Sequence, residues 1–404
     1  MSSEILWSPQ SNIVENSALS KFSKELGFDN NSYEKLHSWS INNKENFWRA
    51  VWDFTRVIGD PGSKSFVPNL KSPMTGAQFF PEAKLNLAEN LLEGDDNFIA
   101  VIETDETGNR REFSRRTLKE KVAKTVNGLK KIGVQSGDRV AAILPNRIEA
   151  LVSLLASASI GAIWTSCSPD FGTKGIIDRI GQTTPKVLFT TSIYRYNNKE
   201  HDFSSRISEI VASLDGLDSV IIVDDKNINI SNKSYNYTLF NEFGINSNLE
   251  FIRLPFSHPS YILYTSGTTG APKAIVHSIG GTILQHFKEH KLHNDLKPRD
   301  KIMWYTNIAW MMYHWVVSSL GCNATLVLYD GVPIIKRNDH LDGSLLWKVA
   351  EQEKLTHMGV SPKYMSTLED IKEIPIEKYN LENLRWLLAA GSPVAPNQFD
   401  WVYK

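Results

Sequence analysis

A chain of 404 residues, 41% hydrophobic and 22% charged, is long enough for two or three domains around a sizeable core. Lys and Arg total 44 against 45 Asp and Glu, a formal net charge of −1 that offers no global attraction to nucleic acid or to an anionic membrane. Cys167 and Cys322 are the only cysteines and lie outside any CxxC pattern, which argues against a disulfide framework and a thiolate metal site and fits a reducing, cytoplasmic setting.

The opening MSSEILWSPQ lacks the basic start and long apolar core of an export signal. Residues 1–110 carry Trp7, Trp39, Trp48 and Trp52, which read as core aromatics. A helix predicted over 45–57 places Phe47, Ala50, Val51 and Phe54 on one apolar face that needs a partner surface. From Phe113 the pattern alternates. Leu118, Val122, Val126, Leu129 and Ile132 recur at helical spacing, Gly133 stops the helix, and 139–144 reads as a strand. A helix over 147–159, strands at 163–164 and 186–190 and a helix near 174–180 continue the alternation. The weakly polar run 150–164 is too short for a membrane span and is broken at Gly161, so it reads as a buried helix leading into a strand. Residues 193–248 turn Asn-rich and irregular around one strand, 219–223, and read as a surface excursion without chemistry. Strands at 302–305, 324–328 and 384–388, separated by helices near 311–320, 343–354 and 363–370, form a second α/β unit. Strands alternating with helices predict parallel, doubly wound sheets covered on both sides.

Within that scaffold, residues 261–281 read YILYTSGTTGAPKAIVHSIGG. An apolar run of strand character, 261–264, collapses at Thr265 into hydroxyls and glycines ending in Lys273, and helical spacing resumes after Ser278, a candidate N-cap. Strand, loop and helix in that order suit phosphate binding. Gly267 and Gly270 let backbone N–H groups turn toward an anion, Ser266, Thr268 and Thr269 add hydroxyls, and Lys273 adds a charge. The competing reading, a flexible polar loop, is weakened by Pro272 and by the flanking elements. The loop is not a Walker A motif, because Ala274 stands where that motif needs Ser or Thr. His277, His286, His290 and His293 are spaced as if on one helix, but with no carboxylate companion they read as solvated helix surface and not as a metal site. No Ser-His-Asp arrangement stands out.

YTSGTTGAPK resembles the signature loop of the adenylate-forming ligases, the acyl-CoA synthetase and luciferase superfamily. The blocks ENFWRAVWDF, FFPEAKLNLAENLL, IWTSCSPDFG, YDGVP and GSPVAPNQFDWVY narrow that resemblance to the acetoacetyl-CoA synthetases. The resemblance implies an amino-terminal segment (1–110) wrapping an AMP-binding domain (111–404). It implies a loop from Thr265 to Lys273 around the β- and γ-phosphates of ATP, with Lys273 and Thr268 serving catalysis. It implies that Gly391-Ser392-Pro393 meets the adenine, with a plain turn as the alternative, and that Trp310 lies beside the acyl pocket, where core packing is the alternative. Ala309 departs from the glycine usual before that Trp. The implied reaction uses ATP with Mg²⁺ and coenzyme A to convert acetoacetate to acetoacetyl-CoA through an acyl adenylate. The acid, ATP and CoA are then small-molecule partners, and no protein partner is evident. Acetyl- or other short-chain acyl-CoA synthesis, a nucleotide-binding remnant without turnover, and an oxygenase using acyl adenylates remain alternatives. The family continues past Tyr403 with an aromatic-acidic motif, a ribose-binding aspartate, a hinge and a small mobile lid domain bearing a lysine. The expectation is therefore a carboxyl-terminally truncated chain, incomplete in its AMP-binding domain.

Overall fold

The computed structural model describes residues 5–29, 33–224, 236–267, 270–337 and 340–403. Two sheets dominate it. The strands of the first are β3 (Arg139–Ile143), β4 (Ile163–Cys167), β5 (Val187–Thr190), β6 (Ser219–Ile222), β7 (Asn236–Leu239), β8 (Pro259–Tyr264) and β9 (Ala274–Ser278), in the order β7-β6-β5-β3-β4-β8-β9. Those of the second are β1 (Ile99–Asp105), β2 (Arg110–Ser114), β10 (Lys301–Trp304), β11 (Thr325–Asp330), β12 (His357–Val360) and β13 (Trp386–Ala389), in the order β13-β12-β10-β11-β1-β2. Every pairing in them is parallel except the edge pairs β8–β9 and β1–β2.

Strand alternation shows how the layers stack. On β3, Val140 and Ala142 face the largest core, whereas Ala141 and Ile143 face a second core built on the helices 173–180 and 204–212. On the other sheet, Ile302 and Leu326 face that same largest core, and Met303 and Val327 face a third core under the helices 345–353 and 362–370. Both sheets thus share one helical layer and each carries another outside, which is the doubly wound arrangement. The shared layer includes α2 (Arg115–Lys131), whose Leu118, Val122, Val126 and Leu129 enter the largest core, and α3 (Ile148–Ser159), eleven of whose twelve residues are buried. Ser153, Ser157 and Ser159 survive there because each hydroxyl donates to the carbonyl four residues back.

The amino-terminal segment is stitched on by aromatic rings. In α1 (Lys44–Thr55), Val51 is fully buried; Trp52 packs on Phe80 at 4.9 Å, and Phe80 on Phe256 at 5.3 Å, just ahead of β8. The boundary expected at 110/111 falls inside the β1–β2 hairpin, and β1 pairs along its length with β11.

Two expectations need correction. The described residues of 193–248 are not an excursion: β6 and β7 extend the first sheet, and Ile221 and Ile222 are wholly buried. Residues 225–235 lie outside the described residues; among those described, Asn197 and Asn198 form the turn of a hairpin that pairs 193–196 with 199–202, and short buried strands escape a composition reading. Nor does a helix follow the glycine-rich loop directly, because β9 intervenes.

Candidate functional site

The loop after β8 is the tip of a β-hairpin. Thr265 N–H donates to the Lys273 carbonyl at 3.0 Å and Lys273 N–H donates to Thr265 Oγ1 at 3.0 Å, which closes the loop at its base. Gly267 adopts φ +73°, and a Cβ there would come within 3.0 Å of the Gly270 carbonyl, so the tight curl needs glycine. Gln182 Nε2 donates to the Pro272 carbonyl at 2.9 Å and ties the loop to the end of the preceding helix. Ser266, Gly270 and Lys273 are exposed. Thr268 and Thr269 lie outside the described residues.

This corrects the strand-loop-helix reading. Ala274–Ser278 returns antiparallel beside β8, so Lys273 sits at the start of an edge strand and not at a helix N-terminus. The Ile275-Val276 signal was present but lies on an exposed edge, and helical spacing begins only at α5 (Ile279–Phe287). Ser278 is the N-cap of α5, accepting from Gly281 N–H at 3.2 Å. Any anion in the loop therefore meets loop amides, hydroxyls and the lysine, without a helix dipole.

Beside the loop base lies a narrow cleft lined by Phe171, Arg179, Tyr264, Thr265, Ala309 and Trp310. Its walls come from the carboxyl ends of the neighbouring parallel strands β4 and β8 and from the segment after β10 in the other sheet, the position where open α/β sheets receive ligands. Two hydrogen bonds hold the pieces together. Ser166 Oγ donates to the Ile308 carbonyl at 2.6 Å, and the Thr165 hydroxyl and Tyr264 phenol are 2.7 Å apart. Burial pushes the Tyr264 phenol and the Cys167 thiol, at the end of β4, each up to about 12, so both stay neutral.

Trp310 caps α6 (Met311–Val317) and is 48% exposed, with its ring edge-on to Phe171 at 6.4 Å; core packing does not account for it. Ala309 forms cleft wall. Of the residues that follow Trp310, Met311 is exposed and Tyr313 is buried in the core between the sheets, so neither lines the cleft. The structure thus brings Thr265 and Trp310 together. Gly391, at φ +109°, ends β13 in the other sheet, with Ser392 and Pro393 exposed beside it and none of the three in the cleft wall. Phe171 and Arg179 were not foreseen as cleft residues; Phe171 lies in the quoted IWTSCSPDFG block, whereas nothing local marks Arg179.

The histidine expectation also changes. His277 is in β9, and His286 and His290 are buried, not solvated. His286 Nδ1 bonds the Ser318 hydroxyl at 2.8 Å, and His290 Nε2 lies 2.7 Å from the Trp315 carbonyl. Burial lowers His290 to about 4. Among the described residues no group of three or more His, Cys, Asp or Glu side chains could hold a metal, and no helix is long and apolar enough to cross a membrane.

A family profile described as "AMP-binding enzyme" matches residues 90–404. The chain belongs to the AMP-binding enzyme family. Over 99% of its length this AMP-binding chain is 39% identical to an acetoacetyl-coenzyme A synthetase from Rhizobium meliloti (strain 1021), covering 61% of that protein. It is 36% identical over 99% of its length to the malonamoyl-CoA synthetase vrtB of Penicillium aethiopicum, covering 59%. A solved structure, acetoacetyl-CoA synthetase from Streptomyces lividans, superposes with a TM-score of 0.89 at 34% identity, covering 99% of this chain and 62% of that one. The AMP-binding chain therefore spans about three fifths of the length of the relatives it matches.

Proposed function

We propose that this chain activates acetoacetate for thioester formation. The carboxylate oxygen attacks the α-phosphorus of ATP, forming an O–P bond and expelling pyrophosphate. The sulfur of coenzyme A, having lost its proton, then attacks the acyl carbon and releases AMP. The observation that carries this reading is similarity along the whole chain to acetoacetyl-CoA synthetases, with the hydroxyl- and glycine-rich loop and its cleft at the carboxyl ends of parallel strands. Acetoacetyl and malonamoyl groups, named in the relatives above, both carry a carbonyl at the third carbon, which supports a 3-oxo acid as substrate.

In this reading the amides and hydroxyls from Thr265 to Gly270, including Ser266, Gly267, Thr268 and Thr269, cradle the β- and γ-phosphates, and Lys273 neutralises charge as pyrophosphate departs. Gly391, Ser392 and Pro393 receive the adenine, and Trp310 stands against the acyl chain. Mg²⁺ bound to ATP would add to the neutralisation of phosphate charge.

Acid-dependent ATP–pyrophosphate exchange tests the reading. Acetoacetate should exceed acetate, butyrate and octanoate in kcat/KM, and a tenfold preference for acetate would refute the substrate. Since an apolar pocket separates acids differing by one or two carbons by only about 1–3 kcal/mol, butyrate should be a secondary substrate. ATP binding without any exchange would mark residues 1–404 as a nucleotide-binding unit that lacks turnover alone.

A further inference from the structure

The cleft holds one charged group, and that group is underused. Arg179 lies on α4 (Thr173–Ile180), whose Ile176 and Ile180 are fully buried, so the helix is anchored and the guanidinium is carried to the cleft on a fixed frame. Its Nη1 donates to the Gly175 carbonyl at 2.8 Å, and its carbon stands 5.3 Å from the Phe171 ring centre. Some arginines find carboxylates, as Arg110 does with Glu353 at 2.6 Å and Arg147 with Asp330 at 2.9 Å, and others, such as Arg139 and Arg206, spread three or more donors over carbonyl and hydroxyl oxygens. Among the described residues no carboxylate pairs with Arg179. The other five lining residues are aromatic, aliphatic or neutral hydroxyl-bearing, so a ligand here meets apolar walls, the loop base at Thr265 and a guanidinium with spare N–H donors.

We propose that Arg179 is the residue that selects a 3-oxo acid, donating a hydrogen bond to the oxygen on the third carbon of the substrate. The proposal rests on the acyl-site reading of the cleft given above. The carboxylate has to face the α-phosphorus beside Thr265 in order to attack it, and a guanidinium bonded to that carboxylate would blunt the nucleophile. The carbon chain then runs along the paired rings of Trp310 and Phe171. The remaining polar atom of a 3-oxo acid meets Arg179, whereas a simple fatty acid sets a methylene against it and leaves its donors unpaired.

The test compares acetoacetate with butyrate, which matches it in chain length and lacks only the oxo group. Each acid is titrated calorimetrically onto the ATP-saturated protein, and pyrophosphate exchange is followed alongside. In R179M the preference for acetoacetate over butyrate should fall about 10- to 100-fold, in Kd and in kcat/KM alike, with the ATP KM unmoved. R179K, which keeps the charge but loses the planar fork, should fall between. An equal loss for both acids would assign Arg179 to the carboxylate, a rise confined to the ATP KM would assign it to phosphate, and a retained preference in both variants would remove it from recognition; each overturns the proposal. Should R179M not fold, R179K alone decides, since an undiminished preference there contradicts a fork-shaped donor. Failure of the underlying reading looks different, for the unmutated protein would then bind neither acid or would prefer acetate.

Discussion

Lys273→Ala is the most direct probe of the loop. The substitution leaves the backbone closure in place, because the two bonds at the loop base use only main-chain atoms of residue 273, its carbonyl accepting from Thr265 N–H and its N–H donating to Thr265 Oγ1. What is lost is a charge on an exposed side chain. In the free protein that charge is solvated and contributes little. Once phosphate oxygens fill the loop, a charge-assisted bond to them is worth about 1.5–3 kcal/mol, which is roughly a 10- to 150-fold rise in Kd for ATP. AMP lacks the β- and γ-phosphates, so its affinity should change by no more than the ~0.2–1 kcal/mol of a solvated charge pair. Calorimetric titration of both nucleotides onto the wild-type and variant proteins measures the difference, with a thermal melt to verify that folding is unchanged. Equal weakening of ATP and AMP, or none, would show that the lysine does not serve the distal phosphates.

Two further outcomes concern stability. Burial lowers His290 to about 4 and His314 to about 3, against about 6.5 in an unfolded chain; since these folded values are depressed, the stability they contribute is complete above pH 6.5 and is lost as pH falls toward 4, on the order of 3 kcal/mol for His290 alone. Asp330, raised by burial to about 6 against the pull of Arg147, acts with the opposite sign over a smaller shift. The urea-unfolding free energy should therefore decline from pH 6.5 to 4.5, and a flat or rising profile would contradict the buried-neutral assignment. Glu106, buried at the end of β1, accepts from Asn197 N–H at 3.0 Å, Asn198 N–H at 2.6 Å and Val332 N–H at 3.1 Å, so it latches the 193–202 hairpin tip to the second sheet. Glu106→Gln should cost about 1.5–3 kcal/mol and speed hydrogen exchange at Asn197 and Asn198; unchanged protection at those amides would refute the latch.

Much of the scaffold was legible from local pattern. Strands buried on both faces, such as β3 and β5, are mainly apolar runs, and α3 is built mostly of apolar and small residues, so each announces itself within a few residues. The phosphate-loop candidate was legible for the same reason, since glycines, hydroxyls and a lysine adjoin in sequence. β9 was missed because an exposed edge strand beside a helix start shows no clean period. β12 was missed because His357-Met358-Gly359-Val360 is too short to separate from a helix end.

Sequence by itself thus determined the class of fold, the chemistry available in the loop and the residues able to supply it. Only the tertiary structure decided that the loop is a hairpin tip, that Tyr313, His286 and His290 turn into the core, and that Arg179 shares a cleft with Thr265 and Trp310. The reason is physical. Periodicity reports which face of one element is apolar, whereas the neighbours of a side chain are chosen by strand order and by the packing of both sheets on a common helical layer, where residues remote in the chain become adjacent.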